Sequence, residues 1–157
     1  MELQRETGAD WWEVEALLDL CFSPTRTALS SYRLREGVEP TPELCLLARD
    51  GSGQIAGAIR YWPVCVGSHQ AHLLGPVAVH PTRQGEGLGG LLIRASLDRA
   101  AVAGVQRVLL VGDAPYYARF GFRRLAGIQM PPPTNPDRVL GLWDWDGVEG
   151  TVQRNLS

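Results

Sequence analysis

A glycine-rich stretch between two apolar segments constrains this chain more than any other feature. Residues Leu73 to Gly104 read LLGPVAVHPTRQGEGLGGLLIRASLDRAAVAG. Val77 and Val79 end an apolar run of strand length, and His80-Pro81 interrupts it. The glycines that follow have no Cβ, so the backbone can turn tightly before the next apolar segment, which has the pattern of a helix. The sequence therefore predicts a strand, a glycine loop and a helix in succession.

The predicted loop has the properties of a phosphate site. The first N–H groups of a helix have no internal partner, and the aligned peptide dipoles place partial positive charge at its N-terminus. A phosphate bound there accepts hydrogen bonds from the backbone. The four glycines, Gly85, Gly87, Gly89 and Gly90, would also suit a turn that serves close packing alone. The surrounding residues must distinguish the two interpretations.

Two common phosphate-binding motifs fit the loop poorly. A Walker A loop requires lysine, and all 15 basic residues of this chain are arginines. The dinucleotide motif G-x-G-x-x-G is matched by Gly85, Gly87 and Gly90, with Asp113 after the next apolar run. In that fold the first glycine follows the strand almost directly, whereas His80 to Gln84 intervene here, and too few residues follow Asp113 to complete a doubly wound domain. A dinucleotide-binding protein is therefore the less favoured alternative.

A third motif, Arg/Gln-x-x-Gly-x-Gly/Ala, matches Gln84 to Gly89 and follows Val-x-Val-x-Pro at Val77 to Pro81. Further along, Val111 to Phe122 read Val-Gly-Asp-x-x-Tyr-Tyr-x-Arg-Phe-Gly-Phe. Together these segments resemble the GNAT superfamily of N-acetyltransferases, and the second resembles a subgroup of small bacterial single-domain members. The resemblance covers roughly Ala71 to Phe122, about a third of the chain.

This resemblance implies an α/β (α+β) fold. The expected GNAT architecture is a mixed, mostly antiparallel central sheet of six or seven strands, with a parallel central pair and about four helices. Residues 1–157 are expected to form a single acetyl-CoA-binding domain, because this length suits one core. Gly75-Pro76 interrupts the central strand, since Pro76 cannot donate to a ladder. An edge position would tolerate it, but in GNAT folds the central strands part at such a bulge.

Periodicity and turn residues predict the remaining elements. The predicted helices are Asp10 to Phe22, a weaker one from Thr27 to Glu36, Leu88 to Ala103, and one or two turns from Tyr116 to Phe120. The predicted strands include Leu44 to Arg49, Gln54 to Trp62, Arg107 to Val111, Phe122 to Leu125 and Arg138 to Asp146, with Pro63 to Gln70 and Pro131 to Pro136 as loops.

The loop and the resemblance together define an expected donor site. Backbone N–H groups from Gln84 to Gly90 would bind the pyrophosphate of acetyl-CoA, beside the cation Arg83. The resemblance implies that main-chain groups near Val77 and Val79 hold the pantetheine and polarise the acetyl carbonyl. The expected acetyl-CoA-binding residues are Val77, Val79, Arg83, Gln84, Gly85, Glu86, Gly87, Leu88, Gly89 and Gly90.

Two residues are candidates for catalysis. The resemblance implies that Tyr117, the second tyrosine of Tyr116-Tyr117, protonates the leaving thiolate. An alkyl amine of pKa about 10.4 is neutral in roughly one molecule per thousand at pH 7, which makes a base valuable. His72, on the central strand, is the candidate base, and a purely structural histidine is the favoured alternative.

We therefore predict an enzyme that transfers the acetyl group of acetyl-CoA to an amine of a small molecule or peptide, by direct attack in a ternary complex. A non-catalytic acetyl-CoA sensor is the alternative from another class, and the presence of Tyr117 argues against it. The acceptor is open. Five aromatic and acidic residues of the chain could form a pocket for a cationic amine. Alternatively, the tryptophans among them cover a core or an interface. The set comprises Trp62, Trp143, Trp145, Asp144 and Asp146.

Composition narrows the partners. The net charge of -2 and the scattered arginines predict no nucleic-acid partner. No segment has the length of a membrane span and Met1 to Arg5 begin no signal peptide, so we expect no membrane association and a cytoplasmic location. The three cysteines, Cys21, Cys45 and Cys65, are widely spaced, and His69 and His72 lack further ligands nearby, which predicts no metal. A homodimer is compatible with the sequence.

Overall fold

The structure is a computed structural model that describes residues 1–23, 26 and 30–156. Within these residues the helices are α1 (Trp11–Phe22), α2 (Ser30–Arg33), α3 (Leu88–Val102) and α4 (Ala114–Tyr117). The strands are β1 (Glu2–Arg5), β2 (Leu46–Arg49), β3 (Ile55–Val66), β4 (His69–Val79), β5 (Arg107–Val111), β6 (Arg123–Arg124), β7 (Ile128–Gln129), β8 (Val139–Trp143) and β9 (Gly150–Arg154).

The sheet is mixed, as the sequence predicted. Seven strands follow one another in the order β1-β2-β3-β4-β5-β8-β6, and β9 pairs with both β3 and β7. Every pair along the seven-strand path is antiparallel except β4 with β5. These two strands run parallel because α3 carries the chain back across the sheet between them. The predicted fold class is confirmed.

The parallel pair separates after two residues. His72 pairs with Val108 and Leu73 with Leu109, and the register of β4 with β5 goes no further. The other edge of β4 stays paired with β3 as far as Val79, but its register shifts opposite Gly75-Pro76. The predicted bulge is therefore confirmed. It opens a gap between the two central strands because β4 bends away where proline cannot donate.

Two helices cover opposite faces of the sheet. Helix α3 buries Leu92, Ile93 and Ala100 in a cluster with residues of β3 to β5, including Leu74. Helix α1 packs Val14, Leu17 and Leu18 against the alternate residues of β2 to β4. Both ends of the glycine loop are thus fixed, since β4 and α3 are each anchored in the core.

The β3–β4 hairpin differs from prediction. β3 continues through Pro63 to Val66 and β4 begins at His69, so the predicted loop from Pro63 to Gln70 is wrong. On the edge of β3 away from β4, pairing with β2 involves residues up to Ile59, and pairing with β9 begins at Val64. Pro63 lies between these two partners, so its missing N–H interrupts neither ladder.

The C-terminal segment also differs. β8 ends at Trp143, whose φ of 72° breaks the extended backbone, and β9 follows without having been predicted. Trp143 packs beside the α3 cluster, whereas the buried indole Nε1 of Trp145 donates to Leu142 O at 3.1 Å. The tryptophans therefore cover two parts of the core, and the aromatic, acidic pocket does not form. The predicted helix from Thr27 to Glu36 is represented by α2, and its residues 27–29 lie outside the described residues.

The described part of the chain shows neither a membrane-spanning helix nor a cluster of metal-ligating side chains. None of its helices combines the length and apolar composition needed to cross a bilayer. No three His, Cys, Asp or Glu side chains in it are grouped so that they could hold a metal ion.

Candidate active site

A cleft of about 510 Å³ opens beside the glycine loop. We call it the donor cleft, and it lies between the end of α1, the free edge of β4, the first turns of α3 and residues 116–120. Nine of the ten expected acetyl-CoA-binding residues line it: Val77, Val79, Arg83, Gln84, Gly85, Gly87, Leu88, Gly89 and Gly90. The tenth, Glu86, does not line the cleft, and its carboxylate lies 3.6 Å from Arg83 Nη1.

The loop delivers the start of α3 to this cleft. Gly85 and Gly87 have φ of 87° and 78°, in the left-handed region where a Cβ is strained. Leu91 N donates to Gly87 O at 3.1 Å, so the backbone N–H groups of residues 88–90 precede the first bond of the helix ladder. With the dipole of a 15-residue helix behind them, these groups can bind a phosphate.

Three arginines surround the helix start. Arg83 Nη2 lies 3.0 Å from Asp50 Oδ2, so its charge is partly compensated. Arg94 and Arg119 also line the donor cleft, and neither pairs with a carboxylate among residues that the structure describes. Their guanidinium groups stack on aromatic rings, Arg94 on Phe120 at 5.0 Å and Arg119 on Tyr116 at 5.2 Å.

Sequence reasoning missed Arg94 and Arg119 as cations of this cleft. The spacing of Arg94 was the available signal, since it lies one helical turn after Gly90 and therefore on the same face of α3.

The free edge of β4 forms one wall of the donor cleft. Beyond Leu73 no described strand pairs with this edge, so main-chain groups near Val77 and Val79 are available to a ligand. The Cys21 thiol closes the end of this wall and donates to Val79 O at 3.3 Å. Burial raises the pKa of Cys21, although the hydrogen bond to Val79 opposes the effect. The thiol is therefore neutral at physiological pH.

A second cavity, of about 350 Å³, occupies the gap between β4 and β5. We call it the acceptor cavity. Its walls come from α2 and the turn after it, from residues 73–77 of β4 and from residues 110–113 at the end of β5 and just beyond it. It shares Phe22, Val77 and Tyr117 with the donor cleft. The two spaces therefore meet at these three residues, and a bound molecule in each would approach the other there.

The ring of Tyr117 is fixed at this junction. Asp113 Oδ2 accepts a hydrogen bond from Tyr116 N at 3.0 Å and so caps α4, which carries both tyrosines. The Tyr117 ring packs edge-on against Tyr116 and Phe122, and a Cβ on Gly112 would lie 2.6 Å from it. Gly112 is thus required for the ring to occupy this position.

Tyr117 lines both spaces, whereas Tyr116 lines only the donor cleft. Burial raises the pKa of Tyr117 to about 12, and the nearby positive charge of Arg138 opposes this effect. The phenol therefore keeps its proton at neutral pH. Tyr116 does not line the acceptor cavity. Its hydroxyl in the donor cleft lies 3.5 Å from the position that a Cβ of Gly89 would occupy.

His72 lies apart from the junction. It lines neither the donor cleft nor the acceptor cavity, and it borders a separate pocket with residues 103–106 beyond α3. Val77 lies five positions further along β4, which corresponds to roughly 16 Å of strand. Burial lowers the pKa of His72, and Glu43 opposes the effect. The geometry does not bring this residue to a reacting amine.

The profile of the acetyltransferase (GNAT) family matches residues 11–122, most of the chain. The chain belongs to the GNAT family. It is 37% identical over 107 residues to the uncharacterised N-acetyltransferase YjhQ of Escherichia coli K12, covering 66% of this chain and 59% of YjhQ. It is 34% identical over 128 residues to YhbS of the same strain, another uncharacterised N-acetyltransferase, covering 80% of this chain and 75% of YhbS. The match thus spans less than two thirds of YjhQ.

Two solved GNAT structures share the whole architecture. The crystal structure of YhbS from E. coli in complex with CoA superimposes with a TM-score of 0.83 at 28% identity, covering 98% of this chain and 89% of the other. A GNAT acetyltransferase from Brucella melitensis in complex with acetyl-CoA gives a TM-score of 0.74 at 28% identity, covering 98% and 95%. These two related structures therefore hold CoA and acetyl-CoA, respectively.

Proposed function

We propose that this protein transfers the acetyl group of acetyl-CoA to an amine by direct attack within a ternary complex. The observation that carries the proposal is the junction of the donor cleft and the acceptor cavity at Val77 and Tyr117. A thioester in one space and an amine in the other would meet beside a protonated phenol. Family membership and the CoA-bound relatives support acetyl-CoA as the donor.

The donor is held from its phosphates to its carbonyl. In this proposal the pyrophosphate binds the N–H groups at the start of α3, with Arg94 and Arg119 as additional cations. The pantetheine lies along the free edge of β4, where main-chain groups replace the missing strand partner. A backbone N–H near Val77 then polarises the acetyl carbonyl, because that edge ends at the junction.

The chemical step balances within the junction. The amine nitrogen attacks the acetyl carbon, the C–S bond breaks, and the thiolate takes the proton of Tyr117. The nitrogen loses one proton as the amide forms, and this proton returns to the phenolate directly or through water. Since His72 lies elsewhere, no histidine takes part in this proposal.

A non-catalytic sensor of acetyl-CoA would need the donor cleft alone. The acceptor cavity and the placement of Tyr117 at the junction favour an enzyme. Isothermal titration calorimetry with acetyl-CoA should show binding, and release of free CoA thiol should accelerate when a panel of primary amines is supplied. Binding of acetyl-CoA with no amine-dependent thiol release across the panel would favour the sensor, and binding of NAD in place of acetyl-CoA would favour the dinucleotide alternative.

A further inference from the structure

The charges of the acceptor cavity are mainly positive. Three arginines line it, Arg26, Arg35 and Arg138, against one carboxylate, Asp113. The Asp113 carboxylate is engaged in capping α4. This is the reverse of an acidic pocket for a cationic amine, and it indicates that the cavity receives a molecule with negative charge.

Arg35 is the least compensated of these cations. No carboxylate in the described ranges pairs with it, and its Nε is buried without a hydrogen-bond partner. Burial lowers the pKa of Arg35 to about 10, with Tyr32 opposing the effect, so the group is still charged at neutral pH. Arg35 is partly buried and bonds to the Tyr32 side chain, but its Nε is buried without a partner, which is costly, and a bound anion would remove that cost.

Aromatic stacking orients this guanidinium. Its central carbon lies 3.9 Å from the ring centroid of Tyr32 and 5.3 Å from that of Trp62. Because aromatic rings engage the faces of a guanidinium, the N–H donors on its edges that do not bond to Tyr32 remain for an oxyanion. Nη2 is directed to the cavity wall at Gly75, where a Cβ would stand 3.6 Å from it. The position is preorganised for a planar, two-pronged contact.

The other two arginines have different environments. Arg26 is buried and pairs with Glu15 at 3.0 Å and with Asp19, neither of which lines the cavity. Its Nε also donates to Tyr32 Oη at 3.0 Å, which holds the ring that stacks on Arg35. Arg138 is exposed at the mouth, without a carboxylate partner in the part of the chain that the structure describes.

We propose that the acceptor is a small amine that also carries a carboxylate, an amino-acid-like molecule, and that Arg35 binds this carboxylate while the amine reaches Tyr117. The proposal rests on the proposed function, since it names the substrate class of that site. The partly buried Arg35 guanidinium, which has no carboxylate partner among the described residues, matches one monoanionic carboxylate in planarity and charge. The 350 Å³ cavity suits a molecule of amino-acid size. Polyamines would be repelled by the same charge.

The first experiment compares amino acids with their carboxamides as acceptors, which differ in the carboxylate but keep the amine and side chain. With rates expressed per neutral amine, kcat/KM for the carboxylate should exceed that for the carboxamide by about 10- to 100-fold, the usual effect of one charged hydrogen-bond pair. Ethanolamine against phosphoethanolamine forms a second arm. A larger gain from phosphate than from carboxylate, or faster turnover of spermidine, would overturn the carboxylate assignment.

Variants of Arg35 locate the effect. Arg35→Leu should raise KM for the carboxylate acceptor and remove the preference over the carboxamide, while acetyl-CoA binding in the donor cleft is retained. Arg35→Lys keeps the positive charge but lacks the paired N–H donors of a guanidinium, so its preference for the carboxylate over the carboxamide should be intermediate. Arg33→Leu is the matched control, because Arg33 is an exposed arginine two residues before Arg35 that lines neither space. Equal preferences in Arg35→Leu and the native protein would overturn the role of Arg35.

A binding measurement decides the inference without turnover. N-acetylglycine and N-acetylglycinamide are matched product analogues, and their binding to the CoA-loaded protein can be followed by saturation-transfer difference NMR. The acid should bind in the native protein and Arg33→Leu but not in Arg35→Leu, and the amide should bind at least about tenfold more weakly. Equal binding of acid and amide, or no binding of either, refutes the carboxylate site. Absent turnover with intact carboxylate binding would instead refute the proposed acetyl transfer.

Discussion

At the scale of single residues, Tyr117 lines both cavities and is the proton donor of the proposed reaction. Its pKa of about 12 makes transfer to a thiolate of ordinary pKa about 8.5 uphill by roughly 3.5 units, or about 5 kcal/mol. The same burial that raises the phenol pKa also raises the pKa of a thiol released beside it, so the difference within the junction is smaller. Protonation of the departing thiolate by Tyr117 is therefore energetically accessible.

Replacing this phenol tests the assignment. Tyr117→Phe keeps the ring that packs against Gly112 and removes the hydroxyl alone. We expect kcat to fall roughly 10- to 1000-fold, the usual effect of one proton-transfer group, with little change in acetyl-CoA affinity. Steady-state kinetics and calorimetry measure the two quantities. Tyr116→Phe is the matched control and should keep most of the activity, so equal losses in the two variants would mean that water protonates the thiolate.

At the scale of elements, the start of α3 is expected to determine donor affinity. Gly87 has φ of 78°, and a Cβ there would meet nothing within 4 Å, so valine would strain the backbone instead of clashing with the core. Gly87→Val should weaken acetyl-CoA binding at least about 100-fold, because the N–H groups of the loop lose their alignment. Calorimetry measures the affinity, and thermal unfolding measures the stability.

A second glycine gives the control for that substitution. Gly67, in the β3–β4 turn, also has positive φ, 59°, and open space around its Cβ position. Gly67→Val should lower stability by a similar amount, about 1–3 kcal/mol, while acetyl-CoA affinity is unchanged. If Gly87→Val bound acetyl-CoA with the native affinity, the glycine loop would not be the phosphate site.

A buried ion cluster around Arg60 of β3 joins this strand to α1 and to Glu6, the residue that follows β1. Its guanidinium lies 2.9 Å from Glu6 and 2.6 Å from Glu15, and it stacks on Trp11 at 3.9 Å. Arg60→Leu would leave the Glu6 carboxylate buried and unpaired, so unfolding free energy should fall by about 3–5 kcal/mol, lowering Tm by roughly 6–20 °C. Thermal unfolding followed by circular dichroism measures this change.

The more exposed Arg49 provides the comparison. It bonds to Asp10 and Glu13 on the same side of the molecule, but Glu13 is largely in solvent. Arg49→Leu should therefore cost no more than about 1 kcal/mol. A double variant Glu6→Leu/Arg60→Leu should regain part of the lost stability, since it removes both charges. Equal losses in Arg60→Leu and Arg49→Leu would show that burial does not govern this cluster.

The elements that short-range sequence patterns specify were predicted well. Apolar spacing gave α1 and α3 nearly to the residue, and Gly75-Pro76 indicated the parting of β4 from β5. The loop predicted at Pro63 was wrong because a strand accepts a proline where no neighbour needs its N–H. At Pro63 that condition is met because β2 pairs only as far as Ile59 and β9 pairs from Val64, which is a property of the folded sheet. β9 was missed because GTVQR, Gly150 to Arg154, has too little apolar sequence to mark a strand.

At the scale of the whole molecule, the donor residues were contiguous in sequence and the acceptor residues were not. The loop from Arg83 to Gly90 therefore marked one wall of the donor cleft in advance. The acceptor cavity joins Arg26, Arg35 and Arg138, which are separated by up to 112 positions and share no motif. The sequence left open whether Trp62, Trp143, Trp145, Asp144 and Asp146 form an acceptor pocket or cover a core, and none of these five residues lines the cationic cavity that the fold assembles.

The meeting of both cavities at one junction also fixes the expected kinetic mechanism. An acetyl-enzyme route would need a thiolate, and burial raises the pKa of Cys21, the thiol of the donor cleft. Initial-rate plots against both substrates should therefore intersect, and intact-mass spectrometry after incubation with acetyl-CoA alone should show no acetylated protein. Cys21→Ser keeps a hydrogen-bond donor for Val79 O and should retain most of the activity. Parallel initial-rate lines, or an acetyl adduct that Cys21→Ser abolishes, would replace direct attack with transfer through the thiol.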